Sequence, residues 1–263
     1  MKTKLLIIAG LIGVCCLISC KKEGMDNHGN SSLPKLEEVD DVCTKMDDLN
    51  FMKYCYDKFD VNKDGKVSMP EANAVKEISD FNNPSLLKVV SYTGIEYFSS
   101  LEKIQLGAYN TKIEVRTMDL RYNNRLTSIS LNSATHISSL DLRSNNELKN
   151  VNMYGCAELI SIYLPKSIEY IPASAFRGCE KLSIVDMSQC VNLKEIKGDD
   201  TFSSEVIDEF LIGATVPPKT SMTAYRPIKS KSIKTLKVPA ESVDAYESSV
   251  WESYAVKITP IGN

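Results

Sequence analysis

Histidine is almost missing from this chain, at two of 263 residues. The motifs GxSxG, HExxH and GxGxxG are missing altogether. They position a serine nucleophile, a catalytic zinc and a dinucleotide phosphate, so three broad enzyme classes lose their vocabulary. His28 sits in a polar stretch. His136 falls in a turn between apolar segments, without the second positioned group that a general base requires. "GKVS" (65–68) lacks the preceding glycine of a phosphate loop. An excess of positive charge is also missing: 31 Lys and Arg stand against 34 Asp and Glu, a net −3. Setting aside the N-terminal segment up to Ser19, which carries Lys2 and Lys4, leaves 29 against 34, or −5. Nucleic acid is therefore not expected as a partner, because phosphate binding needs a basic stripe. The apolar run Leu5–Ser19 is too short to span a bilayer, which takes about 20 residues. Neither an enzyme nor a small-molecule cofactor is expected.

What is present begins with that run. "MKTKLLIIAGLIGVCCLISC" has a basic start and an apolar stretch of secretory-signal length. Its end, "LISC", resembles the bacterial lipobox. That resemblance implies acylation of Cys20 and a protein exported to the outer membrane or cell surface. Several acyl chains would hold it to the membrane, at about 0.8 kcal/mol per buried CH2. Residues 1–19 are then a lipoprotein signal peptide. Residues 20–35, containing "KKEGMDNHGNSSLPK", are a flexible tether.

Beyond the tether the chain repeats. "MDLRYNNRL" (118–126) and "LDLRSNNEL" (140–148) match at six of nine positions, at an offset of 22. An apolar L-x-x-L-x-L pattern runs from Leu101/Ile104/Leu106 to Leu182/Val185/Met187, with one irregular unit. From Leu126 to Leu159 it steps by 11. A unit of that length holds one short strand and a turn, so two units make one coil. Apolar residues two apart share a strand face, and one coil cannot bury its own row, so neighbours must stack on it. The expectation is a solenoid with strands on two faces. Three residues ahead of successive units stand Asn123, Ala134, Asn145, Cys156, Ser167, Cys179 and Cys190. Leucine-rich repeats place Asn or Cys there, pointing inward to bond the backbone of the turn, since a buried turn cannot leave polar groups unpaired. The three cysteines read as structural thiols; none has a CxxC partner.

"DVNKDGKVSMPE" (60–71) has the spacing of a calcium loop. Asp60, Asn62 and Asp64 fill the first, third and fifth positions, and Gly65 supplies the sharp turn. Lys66 offers its carbonyl, Ser68 is ninth, and Glu71 is the bidentate twelfth ligand. "LNFMKYCYDKF" and "PEANAVKEI" are the expected flanking helices. Sensor hands come in pairs and expose an apolar groove. Only one loop is found, so Ca2+ is expected to be structural, stapling a small helical unit over the open first coil. Val67, at the eighth position, is expected to pack on a neighbouring element. Cys43 and Cys55 flank this unit. A disulfide is one reading in an oxidising compartment and two buried thiols the other.

Three segments resemble a known family. "LPKSIEYIPASAFRGCEKL" (164–182) resembles the repeat of BspA-like leucine-rich-repeat surface proteins. "LKVPAESVDAYESSVWESYAVKITPI" (236–261) is similar to the segment that follows such repeats. "FMKYCYDKFDVNKDGKVSMPEANAVKEI" (51–78) resembles the EF-hand/dockerin-like module that precedes them in many members. The resemblance implies an exported, non-enzymatic surface lipoprotein of a host-associated bacterium, with adhesion or ligand recognition as its role. The stretch between Lys194 and Pro227 departs from the pattern. The expected fold is mainly β: a leucine-rich-repeat solenoid (81–204), a helical EF-hand-like N-terminal cap (36–80), and an α+β C-terminal cap (205–263).

Stacked coils align Asp119, Asp141, Tyr163 and Asp186 on one outward face, beside Arg121 and Arg143. This charged, partly aromatic stripe is the expected site for a protein or glycan partner. A solvated face in which Asp and Arg offset each other is the competing reading. Trp251, with Tyr246 and Tyr254, is expected to anchor the C-terminal cap. Two further roles compete with binding: a structural subunit or spacer of an envelope complex, and a glycan-processing enzyme.

Overall fold

The N-terminal helices start where side chains can cap them. In the computed structural model, which describes residues 33–80, 83–108, 111–221 and 225–262, a 3-10 turn at Val42–Lys45 leads to α1 (Leu49–Phe59). Cys20 and the signal sequence lie outside the described residues. The Asp48 carboxylate accepts from the amides of Asn50 at 2.8 Å and Phe51 at 3.1 Å, capping α1, and from Val90 at 2.8 Å. The second helix, α2 (Met69–Ala74), opens with a Ser68–Glu71 capping box and Pro70 in its first turn.

That helix is shorter than expected. "PEANAVKEI" is helical only to Ala74, and Glu77–Ser79 is a strand, β1. Ile78 is fully buried, and β1 pairs in parallel with β2 (Lys103–Leu106), Glu77 opposite Lys103. Pairing with the solenoid overrides the local helical preference. The unit carrying the candidate calcium loop is thus tied into the first sheet, and Lys35–Asn263 form one unit.

Strands then alternate between two faces. They are β3 (Ser128–Leu131), β4 (Ser139–Asp141), β5 (Asn150–Asn152), β6 (Ser161–Tyr163), β7 (Tyr170–Ile171) and β8 (Ile184–Met187). After them come β9 (Glu195–Ile196), β10 (Ile207–Ile212), β11 (Lys219–Thr220), β12 (Ile233–Val238), the helix α3 (Val243–Glu247) and β13 (Ala255–Pro260). One face carries the sheet β1-β2-β3-β5 and then β7-β9-β11; the other carries β4-β6-β8-β10-β12-β13. Every strand pairing among the described residues is parallel. The first face divides between β5 and β7, which lie in separate sheets.

The core follows the sequence pattern. Leu140, Ile162, Val185, Phe210, Leu236 and Ile258 are successive partners across the second face. All are buried except Ile258, which packs against the core. The stretch 194–227, which departs from the sequence pattern, nonetheless stays in register. Glu195 pairs with Lys219, and Phe202 bridges Phe176 and Ile228. Its coils are longer: the step from Phe210 to its partner Leu236 exceeds that from Leu140 to its partner Ile162. Phenylalanine also replaces leucine inside. The Phe176 and Phe202 rings stack at 5.0 Å.

The ladder bonds coil to coil. Asn123 Nδ2 donates to the carbonyls of Ile95 at 2.9 Å and Phe98 at 3.0 Å. Asn145 Nδ2 donates to those of Leu120 at 2.9 Å and Asn123 at 3.0 Å. Cys156 and Cys179 donate from Sγ to Leu131 at 2.9 Å and Met153 at 3.1 Å, and Ser167 to Leu148 at 2.6 Å. Cys190 Sγ reaches Pro165 O at 3.2 Å. The bonds therefore serve carbonyls of an earlier coil. Asn145→Ala is expected to cost about 1–2 kcal/mol, because Leu120 and Asn123 carbonyls each keep one turn amide, from Asn123 and Leu126. Cys156→Ser is expected to cost less, since a hydroxyl can still donate. Denaturant melts of both variants check this; an unmoved Asn145→Ala midpoint contradicts it.

Candidate ligand faces and the calcium loop

Strand pairing places three of the stripe residues side by side. Asp141 stands opposite Tyr163, and Tyr163 opposite Asp186; Leu211 and Lys237 continue the row. Arg143 donates to Asp141 from Nε at 3.0 Å and from Nη2 at 2.6 Å. Its guanidinium lies 4.7 Å from the centre of the Tyr163 ring, within cation–π range. Arg121 engages Asp119 in the same way, Nε at 3.0 Å and Nη2 at 2.7 Å. Asp119 lies outside any strand, but the charge of Arg121 also reaches Asp141.

The D-x-R spacing has a local cause. Asp119 and Asp141 accept the backbone amides of Arg121 and Arg143, at 3.1 and 3.0 Å. Asp186 accepts that of Ser188 at 2.9 Å. Each aspartate closes a turn, and in the first two the arginine folds back onto it. The Arg121 hydrogen bond holds the Asp119 carboxyl below its ordinary value. Burial opposes the charge of Asp141, yet Arg143 outweighs it and the carboxyl also titrates low. Neither is the raised carboxyl that an acid catalyst needs. Asp119, Arg121, Asp141 and Arg143 are exposed, and Tyr163 and Asp186 half-buried. Exposed pairs of this kind contribute little to stability.

A second face went unnoticed in the sequence. The outer surface of β2, β3 and β5 forms a shallow groove of about 280 Å³. Lys103, Gln105, Ser128, Ser130, Asn150 and Asn152 line it, with Pro172 at one side. The signal was the alternation "KIQ", "SIS" and "NVN", in which buried Ile104, Ile129 and Val151 separate outward polar residues.

The candidate calcium ligands fold as one tight turn. Asp60 accepts the amides of Asp64 at 3.2 Å and Gly65 at 3.0 Å; Asn62 accepts that of Asp64 at 3.0 Å, and Asp64 that of Lys66 at 3.0 Å. Lys63 and Gly65 are left-handed, at φ 58° and 85°, as the reversal requires. Glu71 accepts from the Val61 amide at 2.9 Å, and from the Ser68 amide at 2.9 Å and hydroxyl at 2.7 Å. The Ser68 hydrogen bonds hold its carboxyl down to about 2. Among the described residues, no three His, Cys, Asp or Glu side chains are gathered into a metal cage. The donor set is nonetheless all oxygen, and the backbone reversal brings the loop's two ends together through Glu71. Buried Val67 does pack on a neighbouring element: its amide donates to Asp41 Oδ1 at 3.0 Å, and its carbonyl accepts from Val42 at 2.9 Å.

Cys43 and Cys55 are free, buried thiols. Burial and a hydrogen bond to Cys43 push the Cys55 thiol up. His136 is exposed in a turn.

A model of the BspA type leucine rich repeat region matches residues 71–205, in six copies. No curated protein matches the chain. Among solved structures it is similar to the functional domain of InlJ from Listeria monocytogenes, described as including a cysteine ladder. The identity is 13%, over 84% of this chain and 61% of that one, with a TM-score of 0.37. It is also similar to internalin C2 of Listeria monocytogenes, at 14% identity over 86% of this chain and 100% of that one, with a TM-score of 0.30. The chain thus spans less than two thirds of the InlJ domain's length.

Proposed function

This chain belongs to the BspA-type leucine-rich-repeat family, and from that premise we propose that it is an exported, lipid-anchored protein that binds a macromolecule rather than transforming one. The stripe of Asp119, Arg121, Asp141, Arg143, Tyr163 and Asp186 is its binding face for a protein or glycan, and calcium serves the scaffold. The observation that carries this reading is the stripe's position: Asp141, Tyr163 and Asp186 stand in register on the parallel sheet, with Asp119, Arg121 and Arg143 exposed beside them. A structural subunit or spacer would have no need of an open Arg–Tyr surface. The test is a protein and glycan array probed with the full chain and with an Arg143→Glu, Tyr163→Ala double variant. Ligands captured by the first and lost by the second are expected; equal capture profiles contradict the assignment.

The anchor is a separate proposal. Among the described residues no helix is long and apolar enough to cross a membrane, and lipid on Cys20 would provide the attachment. Cys20→Ser is expected to move the protein from the detergent phase to the aqueous phase of fractionated cells. Unchanged partitioning would defeat the lipoprotein reading.

A further inference from the structure

The groove on the first sheet differs in chemistry from the stripe. Its outward side chains form two rows, Lys103–Ser128–Asn150 and Gln105–Ser130–Asn152, in register across β2, β3 and β5. Amide and hydroxyl groups both donate and accept. Asn152 Oδ1 is taken by the Tyr154 amide at 3.0 Å, so its contribution to a ligand would come from the Nδ2 donors. Lys103 is the one cation among the lining residues. Its neighbours Lys76 and Glu102 pair with each other at 2.9 Å. Glu77, opposite Lys103 across β1, makes no ion pair with it among the described residues. The cation is exposed, and the Glu102 carboxylate, paired with Lys76, feels its charge without bonding it.

Protein partners are held chiefly by aromatic, Met and Arg anchors, and Lys and Ser are depleted from interface cores. The groove has the opposite composition: three buried aliphatic residues lie beneath the pleat, and the side chains facing out are Lys, Gln, Ser and Asn. Sugar hydroxyls match such groups pairwise, because each can give and take a hydrogen bond. A carboxylate on the sugar would match Lys103.

We propose that this groove binds a glycan segment bearing a carboxylate, with Lys103 opposite the carboxylate and Gln105, Ser128, Ser130, Asn150 and Asn152 meeting the hydroxyls. The site lies on the opposite family of strands from the Asp/Arg/Tyr stripe, so it stands or falls independently of that assignment.

The test is calorimetric titration of the full chain with a uronic-acid oligosaccharide and with the neutral oligosaccharide of the same length. The acidic ligand is expected to bind, and more weakly as salt is raised. Lys103→Gln is expected to weaken it about tenfold, the equivalent of one charge-assisted hydrogen bond, and Asn150→Ala to weaken it further in combination. Both positions are exposed, so thermal melts should match the parent. Arg143→Gln, on the other face, should bind as the parent does. Three results overturn the proposal: no binding of the acidic ligand, equal binding of the neutral one, or an affinity that Lys103→Gln leaves unchanged. A loss confined to Arg143→Gln would place the site on the stripe and likewise overturn it.

Discussion

Trp251→Ala is expected to remove about 3–5 kcal/mol of stability, the largest effect of any single substitution considered for this protein. Trp251 is wholly buried between β12 and β13 in the chain. Its ring lies 5.9 Å from Phe210, 6.1 Å from Tyr246 and 5.7 Å from Tyr254. Its Nε1–H donates to the Pro218 carbonyl at 2.9 Å. Truncation would open a cavity among these aromatic rings and strip that carbonyl of its donor, so two penalties fall together. Tyr246 and Tyr254 bind nearby at 2.8 Å to the Ala214 carbonyl and 3.3 Å to Thr220, which limits how far the site can collapse. Trp251→Phe keeps an aromatic ring and loses the donor, so a smaller cost of about 1–2 kcal/mol is expected. Urea melts followed by far-ultraviolet dichroism measure both. If Trp251→Ala melts like the parent, the C-terminal coil does not belong to the cooperative core.

The same residue shows why parts of the fold could be read in advance. Period-two apolar pairs, repeated at a fixed step along the chain, can only be satisfied by stacked coils, so the run from Leu126 to Leu164 announced its burial. Large aromatics near the C-terminal coil announced an anchor. Other parts were hidden because their determinants are not local. Glu77–Ser79 has ordinary helix-compatible residues, and only the edge of β2, distant in sequence, makes them a strand. The stretch 194–227 keeps the register through Phe202, which bridges Phe176 of the preceding coil, and Phe210 rather than leucine, with coils too long for a fixed step to find. The ladder position was legible from Asn and Cys at constant spacing, but the direction of its bonds was not: their acceptors lie 19 to 28 residues back. Charge made the stripe visible, while the groove, built of Ser, Asn and Gln around one lysine, carried no comparable signal.

Calcium is expected to raise the melting temperature and a chelator to lower it, with little change in the dichroism of the repeats. An ion that binds only the folded state adds RT ln(1 + [L]/Kd), about 2.7 kcal/mol at a hundredfold excess over Kd. The affinity is expected in the extracellular range of about 10⁻⁴–10⁻³ M. Glu71→Gln is the decisive variant. In the structure Glu71 closes a capping box with Ser68, and glutamine fills that position as well. The substitution therefore keeps the helix start and removes the charge that a bidentate twelfth ligand supplies. Its expected signature is a near-parental melt without calcium and loss of most of the calcium response. The carboxyl titrates near 2, so it is ionised and ready for the metal throughout the neutral range. Stabilisation should stay local, because Val67 is fixed to Asp41 and Val42 rather than to a second loop, and that bridge leaves no paired hand to open. The absence of any shift at millimolar calcium would sink the staple. So would strong binding of an apolar dye on adding calcium, which would make the unit a sensor that exposes its helices.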